Sequence, residues 1–204
     1  MAIDVKPTRS ELMKLKKKIK LAQSGYNLLK KKRDGLILDF FEIMKKSKTL
    51  RQELAEEYKI ALKKINQARV MESDLKIRSL ANAIKQTPMI ELETKNIMGV
   101  VAPKIKAEAI QKHFLERGYG TVSSSAAIDE AAFAYEKVLE KIIEAAEVET
   151  SMKKLLKEIE KTKRRVNALE FSVIPKMEDV KAFITLRLEE MERENVFRMK
   201  RIKA

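Results

Sequence analysis

From Leu12 to Ala68, apolar or small residues recur at alternating steps of three and four. The series runs Leu12, Leu15, Ile19, Ala22, Tyr26 and Leu29, then after Arg33 through Leu36, Phe40 and Ile43. It resumes at Leu50 and Leu54 and continues, after a four-residue step, at Tyr58, Ala61, Ile65 and Ala68. This is a heptad seam with one stutter. So narrow a stripe cannot stand alone in water and needs another helix to cover it. Pro7-Thr8-Arg9-Ser10-Glu11 supplies the start: Thr8 is the cap, Glu11 completes a capping box, and Pro7 blocks extension backwards. The spacing predicts a helix from Arg9 to about Val70, roughly 90 Å at ~1.5 Å per residue. Gly25 and Gly35 sit inside it, each costing ~1 kcal/mol relative to Ala. They are explained either by tolerated flexibility or by the close approach of a partner.

A second seam follows a Ser-rich loop. It reads Tyr135, Val138, Ile142, Ala145, Met152, Leu156, Ile159, Val166, Val173, Val180 and Ile184, with Glu149, Lys163 and Glu170 intruding. The Ser run ending at Ser125 caps this helix, and Asp129 and Glu130 suit its positive end. Exposed faces offer the i,i+4 pairs Glu160–Arg164, Glu189–Arg193 and Glu194–Arg198. Pro175 should kink the helix without ending it, because the pattern resumes at once.

The middle differs in character. Leu75, Leu80 and Ile84 either continue the first helix or form a shorter one that Pro88 stops. Met89–Thr94 and Ile97–Ala102 read as the strands of a β-hairpin, with Lys95-Asn96 as the turn. Lys104–Glu116 suits a helical turn or two, ended by Gly118-Tyr119-Gly120, and Thr121–Ser125 is a loop. The expected organisation is a lead over 1–8, a long helix and extension over 9–86, a central module over 87–125 with the hairpin at about 88–103, and a long helix over 126–204. The fold class is mainly α: a long antiparallel two-helix coiled coil with a small central β-hairpin and loop module.

Composition agrees with thin seams in place of a thick core: 36% charged, 5% aromatic, no Trp, and only nine Gly and Pro together in 204 residues. The net charge of +14 calls for an acidic protein surface, a membrane face or nucleic acid. It is unevenly spread. Lys6–Lys48 holds fourteen basic against four acidic residues, and Arg193–Ala204 five against one, whereas Asp129–Glu160 holds nine acidic against five basic. Antiparallel pairing therefore predicts a basic end that contains both termini. No apolar run approaches the ~20 residues that span a bilayer, and Met1–Ser10 lacks the apolar core of a signal peptide. A soluble intracellular protein, attached peripherally to something larger, is expected.

The residues offer no catalytic constellation. There is no Cys for a disulfide or thiolate site. The single histidine, His113, beside Phe114, suits packing or the surface. No phosphate-binding G-x-x-x-x-G-K-[ST] loop occurs. Acidic side chains alternate with basic ones along helix faces, a salt-bridge surface rather than an acid–base pair. The methionines Met44, Met98, Met152, Met177 and Met199 suit seam filling. No catalytic residue, metal or cofactor is expected. Nucleic-acid binding has support from charge alone, since no aromatics interleave with the basic clusters.

Several stretches then resemble one family. They are Pro7–Leu12, Leu28–Asp34, Lys95–Val100 with Pro103, Arg164–Glu170 with Ile174-Pro175, and Leu188-Glu189-Glu190 with Glu192-Arg193-Glu194. In this order and spacing they are similar to the D subunits of the archaeal and vacuolar-type rotary ATPases. The resemblance implies a non-catalytic central rotor shaft. Its paired termini would enter a ring of catalytic A and non-catalytic B subunits. Its other end would meet the F subunit and the C subunit that sits on the membrane rotor ring. Rotation would couple ion flow to ATP synthesis or hydrolysis at the cytoplasmic face of the membrane, with no direct membrane insertion. Candidate partner contacts are Arg9, Lys16, Lys17, Lys18, Asn96, Met98, Arg164, Arg165 and Arg198. The rival readings are a basic coiled coil that binds nucleic acid and a coiled-coil adaptor.

Overall fold

The first helix begins where its cap residues place it. In the computed structural model, which describes residues 6–83, 89–108, 110 and 125–203, helix α1 spans Arg9–Met71. Thr8 Oγ1 accepts the Glu11 N–H at 3.2 Å. The reciprocal half of the capping box is replaced: the Thr8 N–H donates to the Lys6 carbonyl at 2.9 Å, and the Glu11 carboxylate turns to Lys14. Helix α2 (Asp74–Ala83) is separate, its first turn resting on Ser73. Strands β1 (Met89–Ile97) and β2 (Val100–Glu108) follow, then helices α3 (Ala126–Ala168) and α4 (Ile174–Lys203), joined by a π-helical turn at Leu169–Val173. Ile84, Pro88, His113 and the Gly118–Gly120 break lie outside the described residues. Lys104–Glu108, expected to begin a helical turn, are strand instead, because they pair with β1.

Two compact units divide the chain: 1–37 with 158–204, and 38–157. In the first, Arg9 pairs with Glu192 at 2.5 Å and Lys32 with Glu158 at 3.8 Å, so α1 and the returning helices run antiparallel. Ile19, Leu36, Thr162, Val166 and Ile184 are buried there. In the second, Arg51 meets Glu149 at 2.6 Å, Glu53 meets Lys141 at 3.1 Å, and Lys64 meets Glu130 at 3.7 Å, again antiparallel. Buried there are Ala61, Ala68, Ile128, Ala131, Ala134, Val138 and Leu155, with Ser47 and Ser151, and Val100 and Ala102 of the hairpin.

Burial corrects the seam in two ways. The α1 series does not stutter. It passes through buried Ser47 and half-buried Glu57 to Ala61 in unbroken heptad register, leaving Tyr58 46% exposed. Polar residues at seam positions hid that register, since only apolar side chains mark it in the sequence. In α3, Leu155 is fully buried and Leu156 is 43% exposed. Lys163 and Glu170 face solvent, and Thr162 takes the seam position. The Thr162 hydroxyl can be buried because it donates to the Glu158 carbonyl of its own helix at 2.7 Å. The Ser125 hydroxyl does not cap α3; its backbone carbonyl accepts the Ile128 N–H at 2.9 Å.

Pro175 acts through the preceding turn. It has no N–H, and in an α-helix its ring would crowd the carbonyl of Phe171. The backbone widens at Leu169–Val173, and the Ile174 N–H donates to the Leu169 carbonyl five residues back. One residue is thereby inserted into the repeat. Upstream the seam holds Thr162, Val166 and Leu169; downstream it holds Ile174, Met177, Lys181, Ile184 and Leu188. Strict heptad continuation from Val166 would select Val173, which is 40% exposed.

Candidate functional site

The candidate residues fall on exposed faces of the two units, not in one cleft. In the unit holding both termini, Lys16, Lys17, Lys18, Arg164 and Arg165 are all exposed. Arg9 and Arg198 are exposed as well, but each is engaged: Arg9 with Glu192, and Arg198 with Glu194 at 3.7 Å. Every residue from Met191 to Lys203 is exposed, including Phe197 and Ile202. Twenty-three basic against twelve acidic residues give this unit a net +11 of the chain's +14. Its surface is an electrostatic match for an acidic partner.

The hairpin carries the other two candidates. Its two-residue turn is Met98-Gly99, not Lys95-Asn96. Met98 has φ 47° and Gly99 φ 86°, and a tight hairpin turn of this kind requires left-handed backbone that glycine supplies without strain. Asn96 is part of the turn's scaffold, because its side-chain oxygen accepts the Gly99 N–H at 2.8 Å. Met98 projects at the tip, 53% exposed. Pro103, opposite Thr94, is tolerated because the pairing alternates from the hydrogen-bonded Ile97–Val100 pair and leaves Pro103 at a position that needs no N–H. Glu93 and Lys106 form an ion pair on one face, and that bond lowers the Glu93 pKa.

An isolated hairpin is marginal in water, and two residues of α3 hold this one. The Ile105 N–H donates to Glu147 Oε2 at 2.8 Å, and Lys154 Nζ donates to the Val101 carbonyl at 3.1 Å. Both bonds use the outer edge of β2, and Val100 and Ala102 are buried. Sequence reasoning missed Glu147 and Lys154. Their spacing of seven residues, which puts an acid and a base on one helix face, was the available signal.

Among the described residues, no group of three or more His, Cys, Asp or Glu side chains could hold a metal ion, and no helix is long and apolar enough to cross a membrane.

Relatives give this surface its context. The family of ATP synthase D subunits matches residues 11–204. The A-type ATP synthase D subunit of Methanococcoides burtonii is 59% identical over 202 residues, covering 99% of this chain and 98% of its own. That of Methanosarcina mazei is 56% identical over 201 residues, covering 98% and 96%. That of Halorubrum lacusprofundi is 52% identical over 204 residues, covering 100% and 90%. With antiparallel helices, a small hairpin and this similarity along its length, the chain belongs to the family of ATP synthase D subunits.

Proposed function

We propose that the chain is the central rotor shaft of an A-type ATP synthase, turning inside a ring of A and B subunits and coupling ion flow to ATP synthesis or hydrolysis. Family membership makes it a stalk protein without catalytic residues of its own. The observation that carries the shaft reading is the Arg9–Glu192 pair, which sets the start of α1 beside the C-terminal half of α4. The start of α1 and the C-terminal half of α4 thereby lie together as one insertable segment, in the unit that carries +11 of the chain's +14. Two antiparallel helices joined by a seam resist twisting better than one, as torque transfer requires.

The basic terminal end suits an acidic collar in the ring, contacted by Lys16, Lys17, Lys18, Arg164, Arg165 and Arg198. The hairpin, with Met98 at its tip, suits the F and C subunits, which would hold the chain at the cytoplasmic face of the membrane. Reconstitution tests the reading. Mixed with matched A, B and F subunits, the chain should co-elute with the ring on a sizing column and change its ATPase rate. Failure to enter the ring, with salt-sensitive retention of DNA instead, would favour the nucleic-acid reading.

A further inference from the structure

The π turn has few packing contacts to fix it. None of Leu169–Val173 is buried, and Phe171 is 74% exposed. Gln23, Tyr26 and Asn27 of α1 and Glu170 and Ile174 of the returning helix line an open groove of about 400 Å³. Gly25, in the same stretch of α1, has nothing within 4 Å of where a Cβ would stand. On either side the seam is tighter: Val166 is 1% exposed and Ile184 0%. The widened turn also lacks the hydrogen bond that Pro175 cannot donate.

We propose that Leu169–Val173 is the torsional joint of the terminal unit: twist applied at the C-terminal end of α4 is absorbed across the π turn while the seams on both sides stay locked. One inserted residue corresponds to about 100° of helix rotation. That offset is a fixed change of phase; what weakens the turn against twist is that it has no buried side chain and lacks one hydrogen bond, whereas the seams on both sides are packed. Its role in storing twist during rotation rests on the shaft reading; its softness does not.

Hydrogen exchange on the full-length chain tests the softness first. Amides of residues 168–176 should exchange about tenfold faster than those of the flanking windows 158–167 and 178–187. Equal rates overturn the proposal without any variant. A chain with Phe171 deleted and Pro175→Ala removes both the inserted residue and its cause and keeps Ile184 in register. Its 168–176 window should slow to the flanking rate. In the reconstituted ring, a bead on that variant shaft should show a narrower angular spread during pauses than on the parent. An unchanged spread, with exchange slowed, overturns the torsional role. A parent chain that never enters the ring refutes the shaft reading instead, and leaves the exchange result standing.

Discussion

The two units solve the same problem, covering a narrow seam, with different side chains. The unit of residues 38–157 buries many small ones, Ala61, Ala68, Ala131 and Ala134, beside Ile128, Val138 and Leu155, and cross-helix ion pairs such as Arg51–Glu149 and the anchored hairpin accompany them. The terminal unit buries larger side chains, Ile19, Leu36, Val166 and Ile184, with cross-helix ion pairs such as Arg9–Glu192 and a π turn. Charge separates them further. Residues 38–157 carry 21 basic and 18 acidic side chains, a net +3 against +11. The lesson is that one heptad pattern can carry a nearly neutral, alanine-rich seam and a basic one of larger side chains on the same continuous helix.

The comparison breaks most readily at the anchors. Ile184→Ala should cost about 2–5 kcal/mol, because a fully buried side chain leaves a cavity. Chemical denaturation followed by circular dichroism measures it. At the alanine-lined seam of residues 38–157 the damage runs the other way. Ala134→Leu should cost about 1–3 kcal/mol by overpacking against Ala61 and Val138, while Leu21→Ala, at a site of the terminal unit that is 75% exposed, should stay within about 0.5 kcal/mol. If Ala134→Leu proves neutral, the cluster of Ala61, Ala134 and Val138 is not tightly packed.

Glu147→Ala should loosen the hairpin by about 1–2 kcal/mol, since the Ile105 N–H loses a charged acceptor. Faster exchange confined to β2 is the expected readout. Gly25→Ala should stabilise the terminal unit by up to about 1 kcal/mol, as the site is open and helical. A destabilisation there would mean that something approaches Gly25 closely after all.

The smallest effect is with pH. The Lys141 pKa is raised, first by its hydrogen bond to Glu53 and then by the charge of Glu144. A raised folded-state pKa makes this contribution fully present below the ordinary lysine value and lost as pH rises through the folded one. Replacing Glu53 with Gln should therefore flatten a slight stability loss in the alkaline range, under about 1 kcal/mol because the groups are partly exposed. Glu93 behaves oppositely. Its lowered pKa gives a contribution present above the ordinary glutamate value and lost as pH falls through the folded one.

Much of this was legible in the residues. Thr8 and Glu11 marked the start of α1, the three–four spacing marked both seams, and the clustered lysines marked the basic end. What stayed hidden followed from chemistry that periodicity cannot see. Ser47, Glu57 and Thr162 occupy seam positions, yet their polarity made the seam look broken. The turn went to Met98-Gly99 because backbone geometry at φ > 0 outweighs the general turn preference of Lys95-Asn96.

The sequence by itself determined the helices, their antiparallel return, the presence of a hairpin and the family. Local spacing, capping and composition are sufficient for the first three, and ordered motifs along the chain for the last. Only the tertiary structure decided the rest. Which side chain fills each seam position depends on what lies across from it. The anchoring of β2 by Glu147 and Lys154 joins residues more than forty apart. The π turn arises from a steric conflict at Pro175, and the phase of the seam beyond it could be read only from which side chains ended up buried.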